Sequence, residues 1–108
     1  MIINYQNIPK VKIDNMRGGE GFVYIQKLTT ENYLMARITI PQFSSIGLHT
    51  HVDDNEYIYV EKGKGECLIN DKWLPLNKGN SYLTSKGSSH SIRNNFCEDL
   101  IIIAYIYK

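Results

Sequence analysis

The sequence predicts an all-β fold, a sandwich or barrel built from many short strands. Three observations predict it: apolar segments are short and regularly interrupted by turn residues, Ile and Tyr are abundant, and no stretch carries sustained helical periodicity. Taken in order, Phe22–Leu28 opens with alternating aromatic and β-branched residues that fit a pleated surface. After the turn Thr29–Asn32, Tyr33–Ile40 sets Leu34, Ala36, Ile38 and Ile40 against Met35, Arg37 and Thr39. Glu56–Val60 places Glu56, Ile58 and Val60 on one face and Tyr57 and Tyr59 on the other. Glu66–Ile69 and Trp73–Leu76 flank the turn residues Asn70-Asp71-Lys72, and Gly63-Lys64-Gly65 reads as a tight connection with no chemical role. Ser81–Thr84 and His90–Arg93 are short strands bounded by Asn77–Asn80, Ser85–Ser89 and Asn94–Asp99. Leu100–Tyr107 is apolar on both faces, so either it runs through the centre of a sandwich or its outer face meets another subunit.

A chain of 108 residues suffices for one domain and is short for two, so residues 1–108 are expected to fold as a unit. The net charge of +1, with Lys and Arg scattered, argues against a nucleic-acid partner or an anionic membrane surface, both of which call for a concentrated basic face. No apolar run reaches membrane-spanning length, and Met1–Lys12 lacks the layout of a secretion signal, so the expected location is the cytoplasm. Cys67 and Cys97 match no metal-ligand spacing and are expected to be reduced thiols. The limited core of a domain this size and the doubly apolar last strand together lead us to expect a homodimer.

The stretch Gly47-Leu48-His49-Thr50-His51-Val52-Asp53-Asp54-Asn55-Glu56 carries the chemistry. His49 and His51 are two apart and therefore project from one face of an extended strand. Beyond the bend at Asp53-Asp54-Asn55, Glu56 shares its face with Ile58 and Val60. A carboxylate on an apolar, inward face needs a cation or a strong donor, because an unpartnered buried charge is very costly. A metal already held by two histidines supplies that cation. His90 is the third and last histidine of the chain, so one site at His49, His51, Glu56 and His90 accounts for all three. Three neutral imidazoles and a carboxylate suit divalent Mn, Fe, Co, Ni, Cu or Zn. Four protein ligands on a six-coordinate ion leave positions open for water or substrate.

These residues resemble the two conserved motifs of the cupin superfamily. In the first, G-x5-H-x-H-x3,4-E-x6-G, His49, His51, Glu56 and Gly63 match, and Phe43 stands where the leading glycine belongs. In the second, G-x5-P-x-G-x2-H-x3-N, Gly79, Gly87, His90 and Asn94 match, and Ser85 replaces the proline. Both departures fall on turn positions rather than on ligands. The resemblance implies a double-stranded β-helix, or jelly-roll barrel, with motif 1 at about residues 43–63 and motif 2 at about residues 79–94. It further implies a barrel interior whose remaining lining decides the chemistry.

Two residues are candidates for that lining. Arg37 lies outside if the apolar set of its strand packs between the sheets; if it points inward, it can grip an anionic substrate. Tyr82 either lines the pocket or packs. Asn94 is expected to make a structural hydrogen bond, and Arg17-Gly18-Gly19-Glu20-Gly21 is read as a flexible turn because no strand-to-helix phosphate loop surrounds it. The resemblance leaves two functional classes. One is a metal-dependent enzyme of the dioxygenase, decarboxylase, lyase or isomerase type acting on a small oxygen-rich or carboxylate-bearing metabolite. The other is a non-catalytic module that binds or senses a small molecule. The complete four-ligand set favours the enzyme.

Overall fold

The computed structural model describes residues 1–108 and contains ten strands, all paired antiparallel. They are β1 (Val11–Asp14), β2 (Phe22–Thr29), β3 (Tyr33–Ile40), β4 (Ser44–Thr50), β5 (Asn55–Lys62), β6 (Lys64–Ile69), β7 (Lys72–Asn77), β8 (Ser81–Thr84), β9 (Ser89–Asn94) and β10 (Leu100–Tyr107). One sheet has the order β1-β2-β3-β10-β5-β8 and the other β4-β9-β6-β7. Their inner faces share one core, to which Val23, Ile38, Val60 and Ile102 contribute from the first sheet and Ile46, Cys67, Leu76 and Ile92 from the second. This is the jelly-roll barrel that the motifs imply. No helix is long and apolar enough to cross a membrane.

The double apolarity of β10 follows from its place. It lies between β3 and β5, so Ile102 meets Ile38 on one side and Val60 on the other, and Ala104 meets Ala36 and Ile58. Leu100, Ile102 and Ala104 are buried in the barrel, while Ile103, Tyr105 and Tyr107 form a half-buried outer row. That parity also decides Arg37. Ala36, Ile38 and Ile40 face inward, which turns Arg37 to the outer surface. There its Nε donates to Glu61 Oε2 at 2.8 Å and its Nη1 to Gln26 Oε1 at 3.3 Å.

Two strands lie outside the elements expected from sequence. β1 is a mostly exposed edge strand with one short apolar stripe. In β4 the alternation breaks: Ser44 and Ile46 face inward, then the register against β9 shifts between Ile46 and His49. This β-bulge inverts the parity of the strand and turns His49 toward the interior. The carbonyls at the irregularity are both satisfied. Ser91 Oγ donates to the Ile46 carbonyl at 2.7 Å, and the Gly47 carbonyl lies 2.7 Å from His49 Nδ1.

Phe43 occupies the left-handed region, with φ of 62°, which explains why the motif asks for glycine there. The turn is held by Phe43 N–H donating to the Asn94 carbonyl at 2.7 Å. Asn94 is fully buried, and its side chain donates to the carbonyls of Ile40 and Glu98 and accepts from Phe96 N–H. It therefore makes the structural hydrogen bonds expected of it. The Phe43 ring is 68% exposed and loses little packing on removal. Replacing Phe43 by Gly should stabilise the fold by about 0.5–1 kcal/mol, the left-handed penalty less the extra chain entropy of glycine. Urea denaturation checks this by a higher midpoint; a lower midpoint contradicts it.

Candidate metal centre

Four side chains converge inside the barrel mouth. His49 comes from the bulged end of β4, His51 follows it, Glu56 lies near the start of β5, and His90 lies near the start of β9. One ligand atom from each lies within 4.8 Å of all the others. His90 Nε2 is 3.0 Å from His49 Nε2, 3.1 Å from His51 Nε2 and 2.8 Å from Glu56 Oε1. Glu56 Oε1 is also 3.2 Å from His51 Nε2. His51, Glu56 and His90 are buried, and His49 is half-buried.

The opposite nitrogens explain the orientation. His49 Nδ1 lies 2.7 Å from the Gly47 carbonyl, and His51 Nδ1 lies 2.7 Å from Asp54 Oδ1. A carbonyl and a carboxylate only accept, so both Nδ1 atoms must donate, which in the neutral form of each ring leaves the Nε2 lone pair facing the centre. His90 Nδ1 faces two hydroxyls, Thr84 Oγ1 at 3.1 Å and Tyr82 at 3.2 Å. At most one proton on His90 Nε2 would then have to serve two lone pairs and a carboxylate oxygen. A cation among the four satisfies all of them at once. The donor set therefore fits a divalent metal, with each histidine oriented by a hydrogen bond from its other nitrogen.

Electrostatics point the same way. Burial lowers the His49 pKa below the usual imidazole value, and the charges of His90 and Arg17 act in the same sense against the Gly47 carbonyl and Glu56, which raise it. The ring is thereby kept neutral and able to ligate. Burial raises the Tyr82 pKa, with Cys67 and Glu56 adding to the effect, so the phenol keeps its proton.

The space beside the cluster is a cavity of about 40 Å3 lined by twelve residues. Four are the cluster itself, six are isoleucines and one is Met16; the twelfth is Arg17. The structure thus does not bring Arg37 to the site, and Tyr82 reaches it only through the far nitrogen of His90. Arg17, read from sequence as part of a flexible turn, borders the cavity instead. A short 3-10 turn, Met16–Gly18, carries it. The turn lies flat on β4 because Gly19 and Gly47 lack side chains: a Cβ on Gly47 would overlap the Arg17 carbonyl oxygen, and one on Gly19 would overlap that of Ser45. Asn15 Nδ2 closes the loop by donating to the Gly19 carbonyl at 3.0 Å. The sequence signal was the glycine pairing across two separated segments, which only the fold reveals.

The comparisons with known proteins agree with this geometry. A family profile described as cupin domain matches residues 36–106. The oxalate-binding protein of Thermotoga maritima is 36% identical over 112 residues, spanning 98% of this chain and 93% of that protein. The crystal structure of a predicted oxalate decarboxylase from Thermotoga maritima superimposes with a TM-score of 0.94 at 35% identity, covering 99% of this chain and 98% of that one. The polyketide cyclase RemF from Streptomyces resistomycificus shares the fold alone, with a TM-score of 0.81 at 13% identity over 99% of this chain and 78% of that one. A profile matching well over half of the residues and a relative alike along nearly the whole length lead to one conclusion: the chain belongs to the cupin family.

Proposed function

We propose that residues 1–108 form one metal-binding domain that holds a divalent transition ion on His49, His51, Glu56 and His90 and uses it to bind a small carboxylate of the oxalate class. One observation carries this reading: the Nε2 atoms of three histidines and a carboxylate oxygen crowd round one point, with two of the imidazoles turned there by acceptors at Nδ1. When bound, the ion supplies Lewis acidity at the positions the protein leaves free. Mn, Fe, Co, Ni, Cu and Zn all suit the ligand set. The oxalate-binding relative supports a carboxylate as ligand.

The protein residues each have a part in such binding. Gly47 and Asp54 hold two imidazoles in the ligating tautomer, and Thr84 and Tyr82 position the ring of the third. The isoleucine walls keep water from competing and strengthen the charge interactions inside. Outside the cluster, no lining residue can exchange a proton: six are isoleucines, one is methionine, and an arginine stays charged. That favours binding over acid–base turnover. The enzymatic reading keeps one observation in its favour, a small apolar cavity directly beside the ligand atoms, as a water-excluding reaction site requires.

Metal titration of the metal-stripped protein followed by calorimetry with oxalate tests the reading. Stoichiometric metal uptake and metal-dependent oxalate binding are expected. In His51→Ala the bound metal should be lost by elemental analysis, and full occupancy in that variant contradicts the site. Asp54→Asn should weaken metal affinity about 10–100-fold while the fold persists, since it loosens only the tautomer and orientation of His51. Release of formate or carbon dioxide from oxalate by the metallated protein would establish the enzyme; tight binding without turnover would establish the binder.

The outer face of the larger sheet is assigned to a second copy of the chain. Tyr57, Tyr59 and Leu83 stay exposed beside the Ile103 and Tyr105 row, a surface with more aromatic area than a lone sheet face needs. Sedimentation at micromolar concentration should show a dimer that Tyr59→Glu disrupts, and a wild-type monomer at that concentration contradicts it.

A further inference from the structure

We propose that Arg17 selects dianionic over monoanionic carboxylates at the metal centre, gripping the carboxylate that lies away from the ion. This rests on the carboxylate-binding reading above and assigns its specificity.

The chain contains three arginines, and two are already paired. Arg37 Nε lies 2.8 Å from Glu61, and Arg93 Nε lies 3.0 Å from Glu66, both on outer sheet faces. Arg17 has no carboxylate within ion-pair distance. It is also the only charged lining residue of the inner cavity outside the four-residue cluster. Arg17, an exposed residue, and Ile106 in addition border a second, outer cavity of about 280 Å3, so Arg17 stands between the inner space and the outer one. An inner space of about 40 Å3 has room for only a few heavy atoms beside an ion. A ligand seated there must extend toward Arg17 if it is longer than a single carboxylate. The planar fork of a guanidinium matches a carboxylate edge in two hydrogen bonds, which a monocarboxylate already committed to the ion has no second group to accept.

The backbone indicates that this placement is bought at the expense of stability. Arg17 has φ of 55° and ψ of 30°, the left-handed region that disfavours a residue with a side chain. Glycine, which its neighbour Gly18 already is at φ of 78°, would relieve that strain at position 17. Strain at a position that borders the cavity fits a functional compromise.

Arg17→Gln and Arg17→Gly in the metal-loaded protein test the assignment, with oxalate and acetate as probes. Both variants should retain metal stoichiometry. Oxalate affinity should fall about tenfold or more, the loss of a charged hydrogen-bonded pair, while acetate affinity should change less than threefold. Arg17→Gly should also raise the thermal midpoint, an opposite movement of stability and affinity that a merely structural role does not produce. Unchanged oxalate affinity in both variants, or equal losses for oxalate and acetate, overturns the role of Arg17 and leaves carboxylate binding standing. If the loaded wild type binds neither probe, the carboxylate reading and this assignment fall together.

Discussion

Lone pairs that face one another in an apolar enclosure repel, and around that repulsion this barrel is organised. His49 and His51 each spend the proton on Nδ1 against an acceptor that cannot donate, so their Nε2 atoms enter the centre bare. Glu56 adds a carboxylate from a face otherwise occupied by Ile58 and Val60. Without a cation the arrangement would cost the desolvation of every one of these groups. With one, the same desolvation becomes an asset, because a dry surrounding strengthens each contact to the ion. The orienting hydrogen bonds thus do more than decorate the ligands; they decide which nitrogen is available.

The fold is shaped to deliver those groups from three strands. β4 carries a bulge, so that Ile46 and His49 both face inward although three positions separate them. Ser91 on the neighbouring β9 covers the Ile46 carbonyl that the bulge frees, and the same strand supplies His90 one residue earlier. Gly47 serves twice. Its carbonyl orients His49, and its missing side chain lets the Arg17 backbone lie against β4. A substituent at Gly47 would therefore disturb a ligand and the cavity rim together. On the other side, the bend after His51 is secured by Gly87 N–H donating to the His51 carbonyl and His51 N–H donating to that of Ser88. The two motifs are in this way stitched to each other through backbone as well as through the proposed ion.

Much of this architecture was legible from residues alone, for reasons that differ between elements. β3, β8 and β10 have the bounds that alternation and turn chemistry predict, and Glu56, Ile58 and Val60 face inward as their period of two requires. The alternation by which strands are found does not show β4, because its bulge destroys that alternation, although the His-x-His spacing singles out its end. The turn carrying Arg17 reads as merely flexible because no strand-to-helix phosphate loop surrounds its glycines. Those glycines permit close backbone approach to β4, a contact between segments nearly thirty residues apart that no local pattern encodes. Arg37 was a matter of parity: alternation separates two faces without naming the inner one, and the buried Ala36, Ile38 and Ile40 settle it.

The contrast between the two arginines shows how such a barrel confines its specificity. Arg37 sits in the middle of a sheet, ion-paired with Glu61 and hydrogen-bonded to Gln26, so its charge is consumed by the fold. Arg17 sits on a strained turn that contributes no buried side chain, and its charge is left over. A regular strand can place a residue only in the alternation that the core dictates, and here six of the eight cavity-lining residues outside the ligand cluster are isoleucine. Selective charge must therefore come from irregular backbone at the rim, where left-handed residues and glycine contacts can aim a side chain without displacing an apolar one. The ligand cluster, held on strands, sets what the centre can hold; the rim turn, free of that constraint, is where relatives of one fold can differ in what they accept.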